Sequence, residues 1–265
     1  MIDFHNHVLP GVDDGPKEIE DSLKMLQHAS KQGITEIVQT VHFQHPKMEG
    51  KNVEYDFLKE KIKEIQDLIN QNNLNIKMHL SAEVFYLPNL LQILNNPLVT
   101  IGKNKYMLIE FSSNIFPIGY EDEFYKLQCE GVTPIIAHPE RYRFVKKNLN
   151  ILKIWKERDY IIQLDAGSLL GKFGNETKLI VDKILEEKNF HLIGSDSHNY
   201  TTRNFCLNDA YKKISDIHGL EVVKVLKENS SRILKGKEVI NFDSINNRKK
   251  SYKSIIEKVV KLFNK

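Results

Sequence analysis

Cysteine is nearly absent from this chain. Cys129 and Cys206 are the only two in 265 residues, and neither belongs to a Cys-x-x-Cys pair. Such usage argues against a disulfide framework or a thiolate zinc site and fits a reducing cytoplasm. Long apolar runs are missing too. No stretch approaches the ~20 residues of a membrane-spanning helix, and the N-terminus runs straight into Asp3 and His5 without the basic-then-apolar pattern of a signal peptide. The expectation is a chain with neither. A charge excess is also lacking: 38 basic residues face 35 acidic ones, a formal +3, which gives no support to a nucleic-acid partner.

What is present suits one large α/β domain. Hydrophobic residues make up 41% of the chain, enough for a substantial core. Short β-rich runs at 2–8, 34–41, 76–82, 106–111, 133–137, 160–164 and 190–194 alternate with helix-patterned stretches, as in a parallel sheet with helical crossovers. In the first crossover Pro16 opens a helix, Ile19, Leu23, Leu26 and Ala29 repeat at helical spacing, and Gly33 ends it. Further helices are expected near 55–70, 88–94, 121–130, 149–157, 176–187, 207–217 and 221–228.

From about residue 238 the pattern changes. Positions 241–247 are mostly polar, and 248–265 carries seven basic residues against Glu257 alone. The division expected is therefore a main domain over 1–237 and a C-terminal segment over 238–265. Ile255, Ile256, Val259, Val260, Leu262 and Phe263 give the tail an apolar side, read either as a helix packed on the domain or as a basic amphipathic helix touching an anionic membrane or a partner.

Functional side chains of a parallel α/β sheet or barrel collect at the carboxyl ends of its strands, where the loops open on one face. The expected strands end in strong metal ligands: His5 and His7 on the first, then His42, Glu83, Glu110 and His138, with Asp196 and His198 on the seventh. Alternation along an extended segment puts His5 and His7 on one face. Asp13 or Asp14, in the Gly11-to-Gly15 loop, adds a carboxylate. Asp165 ends strand six as a supporting residue, and Asp3 is placed to orient one of the imidazoles. The remaining histidines, His28, His45, His79, His191 and His218, read as structural or surface residues. Five histidines and four carboxylates exceed the ligand capacity of one ion, so two or three ions are expected, and nitrogen and oxygen donors without sulfur suit manganese, iron or zinc alike. Such a cluster acidifies a bridging water and clamps attacking and leaving oxygens, so it serves hydrolysis of a phosphate ester.

Four motifs occur in order: Ile2-Asp3-Phe4-His5-Asn6-His7, Leu9-Pro10-Gly11-Val12-Asp13-Asp14-Gly15, Ala137-His138-Pro139-Glu140-Arg141-Tyr142 and Ser195-Asp196-Ser197-His198. With them the chain resembles the polymerase-and-histidinol-phosphatase (PHP) superfamily over about residues 1–235, and within it the CpsB/CapC branch of bacterial capsule and exopolysaccharide tyrosine phosphatases. The resemblance implies a single-domain α/β fold, a distorted (β/α)7 barrel, with manganese as cofactor. It assigns His5, His7, Glu83 and Asp196 to one ion. Glu83 would bridge to a second ion held with Glu110 and His138, and Asp14, His42 and His198 would hold a third. Val41 stands where many relatives carry proline, and the basic tail lies outside the match.

Arg141 is the expected phosphate clamp and Arg203 a second candidate, because a guanidinium fork matches two phosphoryl oxygens. Protonation of the leaving group is helped either by a metal-bound water or by the nearby His198. The partner implied by the resemblance is a phosphotyrosine protein, the tail of a bacterial tyrosine kinase controlling polysaccharide export. Three rival readings stand beside this one. A cysteine-dependent phosphatase needs Arg six residues after its nucleophile, but positions 135 and 212 hold Ile135 and Lys212. A small-molecule phosphoesterase acting on histidinol phosphate or a sugar phosphate would use the same ligands. A non-catalytic, metal-stabilised scaffold for the export kinase is the third.

Overall fold

The computed structural model describes residues 1–48 and 50–242. The basic helix expected over 248–265, with the membrane or partner contact expected of it, lies outside them. No helix among the described residues is long and apolar enough to cross a membrane.

Seven strands, all parallel, form one sheet in chain order: β1 (Ile2–Asp3), β2 (Glu36–Phe43), β3 (Lys77–Phe85), β4 (Tyr106–Glu110), β5 (Thr133–Ala137), β6 (Ile161–Asp165) and β7 (Leu192–Gly194). The sheet curls toward closure where Asn6 bridges Ser197 in parallel, with His7 N donating to Ser197 O at 2.8 Å. Among the described residues ten α-helices connect and cover the strands: α1 (Ile19–Lys31), α2 (Tyr55–Gln71), α3 (Leu90–Ile93), α4 (Tyr120–Cys129), α5 (Arg143–Lys147), α6 (Asn150–Glu157), α7 (Ala166–Leu169), α8 (Asn175–Glu187), α9 (Leu207–His218) and α10 (Leu220–Leu234). This is the α/β barrel the sequence predicts.

Alternation along the strands divides the core into two layers. One face of the strands packs Val38, Leu108, Ile135, Ala137, Ile161 and Leu192 together, which fills the barrel interior. The other face, with Ile37, Val41, Val84, Ile109, Ile136 and Ile162, joins Met25 and Leu26 of α1 and Leu58 and Ile65 of α2 in the outer layer. Ile19, expected on the buried side of α1, opens the helix instead and is exposed. On the interior face the same period of two leads from apolar to polar: Leu108 is followed two residues on by Glu110, and Ile161 by Gln163 and Asp165.

The first strand is shorter than expected. Its ladder with β2 stops at Asp3, and beyond it side chains share the pairing with the backbone bond from Thr40 N to Asn6 O at 3.0 Å. Asn6 N donates to Thr40 Oγ1 at 3.1 Å, Asn6 Nδ2 to Val38 O at 3.0 Å, and Val8 N to Gln39 Oε1 at 2.7 Å. Segment 4–8 is thereby held between β2 and the end of β7. Residues 238–242 lie against the body: Ile240 N donates to Asn229 Oδ1 at 2.7 Å, and Phe242 meets Phe190 at 5.1 Å between ring centroids.

Candidate metal centre

Strand register brings the ligand candidates into one cluster at the carboxyl end of the barrel. His42 of β2 stands opposite Glu83 of β3. Glu83 is the hub: its Oε2 lies 3.1 Å from His5 Nε2, 3.4 Å from His7 Nε2 and 3.2 Å from His42 Nδ1, and its Oε1 2.9 Å from His138 Nε2. The His5 and His7 Nε2 atoms are 3.4 Å apart, so the shared face expected of them holds although the ladder does not reach them. Asp196 Oδ1 lies 3.5 Å from each of these nitrogens. Asp14 Oδ1 is 3.3 Å from His42 Nε2 and 3.2 Å from His198 Nε2, and Glu110 Oε1 is 3.8 Å from His138 Nε2.

Four overlapping groups have ligand atoms within 4.8 Å of one another: His7, Asp14, His42 and His198; His5, His7 and Asp196; His5, Glu83 and His138; His42, Glu83 and Glu110. Together they contain all nine residues singled out in the sequence. Their overlap at His5, His7, His42 and Glu83 makes one continuous cluster.

The side chains behind the ligands set their orientation. Asp13 Oδ2 lies 2.8 Å from His7 Nδ1, so of the two loop aspartates Asp13 braces an imidazole while Asp14 faces the cluster. The Asp196 carbonyl lies 2.9 Å from His198 Nδ1. A carbonyl only accepts, which places the proton on Nδ1 and leaves the Nε2 lone pair facing Asp14. This geometry suits a ligand, and burial, the largest influence, lowers the pKa of His198, so the ring holds no proton readily on Nε2. Behind His5 stands the Gln163 side-chain amide, 3.0 Å from Nδ1; its Oε1 is otherwise buried without a partner, and with the amide turned so that Oε1 accepts from Nδ1–H the His5 Nε2 lone pair faces the cluster. Asp3 does something other than expected: its Oδ1 accepts from the backbone N of His5 at 3.1 Å and of Ser195 at 3.4 Å, tying the first and last strand ends together without touching a ring. Gly194 is required by this packing, since a Cβ there would lie 2.4 Å from Gln163 Nε2 and 2.6 Å from His5 Cβ.

Electrostatics and unmet valences test whether the set fits cations. His42 Nδ1 and Glu110 Oε2 are buried without a hydrogen-bond partner. Burial, then the charges of Glu83 and Asp196, push Glu110 well above the ordinary carboxylate range. Burial also pushes Glu83 upward, but His5, His42 and His138 outweigh it and hold Glu83 well below that range. Carboxylates forced this close, with imidazole lone pairs among them, are relieved by positive ions. The residues fit divalent metal with mixed nitrogen and oxygen donors. Two of them, His138 at φ 30° and Asp196 at φ 46°, adopt the left-handed backbone region that non-glycine residues avoid.

The arginines converge on the same carboxylate. Arg141 pairs with both Asp165 and Asp196, and Arg203 Nη2 donates to Asp196 Oδ2 at 2.7 Å. The Arg141 guanidinium lies 3.9 Å from the Phe173 ring centre. Both arginines keep a buried Nε–H with no hydrogen-bond partner. Asp165 also caps α7 by accepting from Ser168 N at 2.6 Å, so it supports Arg141 and the chain end at once. One histidine read as a surface residue belongs here. His45 Nε2 lies 3.7 Å from Glu110 Oε2 and its ring centre 4.9 Å from that of His42. Its Nδ1 accepts from Lys47 N at 3.1 Å, which leaves Nε2–H as a donor. No strand-end rule could find it, because it follows Gln44, a left-handed residue beyond β2.

Comparison with known proteins agrees with this architecture. A family model described as "Capsular polysaccharide synthesis, CpsB/CapC" matches residues 1–235. The chain belongs to the CpsB/CapC family. Similar proteins include one from Staphylococcus aureus named putative tyrosine-protein phosphatase CapC, 34% identical over 212 residues that span 80% of this chain and 82% of that protein. The tyrosine-protein phosphatase YwqE of Bacillus subtilis is 33% identical over 244 residues, 90% of this chain and 93% of its own length. A solved chain from the crystal structures of YwqE and of CpsB from Streptococcus pneumoniae, described as unique metal-dependent tyrosine phosphatases, aligns with a TM-score of 0.86 at 32% identity. It covers 91% of this chain and 96% of that one. The barrel of this CpsB/CapC chain is thus the fold of those enzymes.

Proposed function

We propose that this chain is a metal-dependent protein-tyrosine phosphatase that hydrolyses phosphotyrosine on the tail of a bacterial tyrosine kinase governing capsular or exopolysaccharide synthesis. The observation that carries the reading is the convergence of nine nitrogen and oxygen donors and two guanidiniums at one barrel mouth. His5, His7, Asp14, His42, Glu83, Glu110, His138, Asp196 and His198 are the proposed ligands, and manganese the proposed metal, as two or three ions. A metal held by these residues would supply Lewis-acid charge and would acidify water for attack at phosphorus.

The protein's own groups do the positioning. Asp13, Gln163 and the Asp196 carbonyl fix three imidazoles so that their free nitrogens point inward. Arg141 and Arg203 bring positive charge beside Asp196 and offer spare Nε–H donors, which suits charge growing on the equatorial phosphoryl oxygens. His45 presents Nε2–H from the rim near Glu110. Tyrosinate, with a parent pKa of about 10, leaves without a dedicated strong acid. Free thiols at Cys129 and Cys206 suit a cytoplasmic setting.

The test pairs elemental analysis of gently purified protein with turnover of a phosphotyrosine peptide and of histidinol phosphate, for the natural sequence and His5→Ala. Bound manganese, faster turnover of the peptide and loss of both in the variant are expected. Preference for histidinol phosphate would make the chain a small-molecule phosphoesterase. Full activity in His5→Ala would end the metal mechanism, and kinase-tail binding without hydrolysis of any aryl phosphate would leave a scaffold.

A further inference from the structure

Beside the candidate centre lies a surface whose features the phosphoryl chemistry does not use. Arg141 also lines a groove of about 400 Å³ with Ser113, Asn114, Arg143, Lys146, Lys147 and one carboxylate, Glu176. The groove is held in shape by backbone: Arg143 N donates to Ser113 O at 2.8 Å, fastening the loop after β4 to the start of α5. Lys146 is engaged, with Nζ 3.0 Å from both Glu176 Oε2 and Thr177 Oγ1. Arg143 and Lys147 are exposed, and no side chain among the described residues pairs with either.

The same loop exposes apolar bulk. Ile118 is 85% exposed, Ile115 68% and Phe116 47%. Phe116 stacks edge-on against Phe144, the neighbour of Arg143, with ring centres 5.2 Å apart, so the apolar strip adjoins the cationic one. Adjacent apolar residues left in water mark a contact surface, and uncompensated cations beside them mark an anionic partner. A second copy of this chain docked by the same face about a two-fold axis would bring the cations toward their own images.

On the phosphatase reading above, we propose that this groove docks the substrate polypeptide flanking the phosphotyrosine. Acidic side chains lie against Arg143 and Lys147, and an apolar side chain lies against Ile115, Phe116 and Ile118. Continuity with the centre through Arg141 makes it a determinant of which phosphotyrosines are read, and it plays no part in the hydrolysis itself. Charge pairing on an exposed surface is salt-sensitive, so the discrimination fades as ionic strength rises.

The experiment uses the full-length, manganese-loaded protein with three substrates: p-nitrophenyl phosphate, a phosphotyrosine peptide flanked by alanines, and one flanked by glutamates and a leucine. The acidic peptide is expected to show kcat/KM on the order of tenfold above the alanine peptide at low salt, the scale of two exposed charge contacts plus one apolar contact. The double variant Arg143→Glu, Lys147→Glu should erase that preference while leaving p-nitrophenyl phosphate turnover and metal content intact. Ile115→Ser with Ile118→Ser should raise KM for the acidic peptide alone. Equal kcat/KM for the two peptides in the unmodified protein, or a preference that survives the double charge reversal, overturns the groove and leaves the phosphatase reading standing. Hydrolysis of p-nitrophenyl phosphate but of neither peptide overturns both. A change in oligomeric mass in the isoleucine variant, with KM unmoved, makes the apolar strip a subunit contact and overturns its docking role.

Discussion

Asp13 Oδ2 lies 2.8 Å from His7 Nδ1, while Oδ1 of the same carboxyl accepts from Gly15 N at 3.0 Å. One side chain therefore orients a candidate ligand and shapes the turn that presents the next, Asp14. Glycine is needed in that turn, because a Cβ at Gly15 would lie 2.1 Å from the His7 carbonyl oxygen.

Removing this brace weakens metal binding without deleting a ligand. Asp13→Ala is expected to lower manganese affinity by about 10- to 100-fold, the usual effect of losing a carboxylate behind a metal-bound histidine. Chelator competition measures it. Unchanged affinity would show that His7 is held by its neighbours alone.

Arg141 sits between Asp165 and Asp196, an arrangement that uses the planar fork of a guanidinium. Arg141→Lys retains charge but cannot span both carboxylates. Its kcat/KM on an aryl phosphate should fall by on the order of 100-fold, and steady-state kinetics at fixed manganese decide the point. Activity close to normal would reduce Arg141 to a charge.

His45 and His42 are neighbours with different tasks. Because Lys47 N occupies His45 Nδ1, the Nε2–H of His45 is a donor and no ligand lone pair. His45→Gln should keep its metal while losing about tenfold in kcat/KM, whereas His42→Ala should lose metal. Elemental analysis of both variants separates the two, and metal loss in His45→Gln would make it a ligand after all.

The thiols give a pH-dependent control. Burial pushes Cys206 up to about 12, so its reactive thiolate is scarce throughout the range below that value and grows only as pH approaches it. Cys129 is exposed. Iodoacetamide at pH 8 should label Cys129 and spare Cys206, read by mass spectrometry, with hydrolysis unaffected. Loss of activity on labelling would revive a thiol mechanism.

Gly194→Ala tests the packing beneath the centre. Its Cβ would overlap Gln163 and His5, and such overpacking costs about 1–3 kcal/mol. A lower melting temperature and a smaller gain on adding manganese are expected.

The strands and nine ligand candidates were legible because each feature is local: a short β-rich run followed by a residue with strong metal-binding chemistry. The supporting residues depend on tertiary contact. Gln163 reads as an ordinary strand residue until β6 is beside His5, 158 positions away in the chain. The side chains of Gln39 and Thr40 join the pairing beyond Asp3, and no periodicity records that. His45 escaped for a similar reason, since its place depends on the turn at Gln44 rather than on a strand end.

Closure between Asn6 and Ser197 also orders events in time. The candidate centre needs His5 and His7 from beside the first strand and Asp196 and His198 from just after the seventh, so every preceding strand must be made before the last donors arrive. A growing chain emerging from the ribosome holds an unfinished pocket for most of its synthesis. Metal uptake by the proposed ligands is therefore expected only once the barrel is finished.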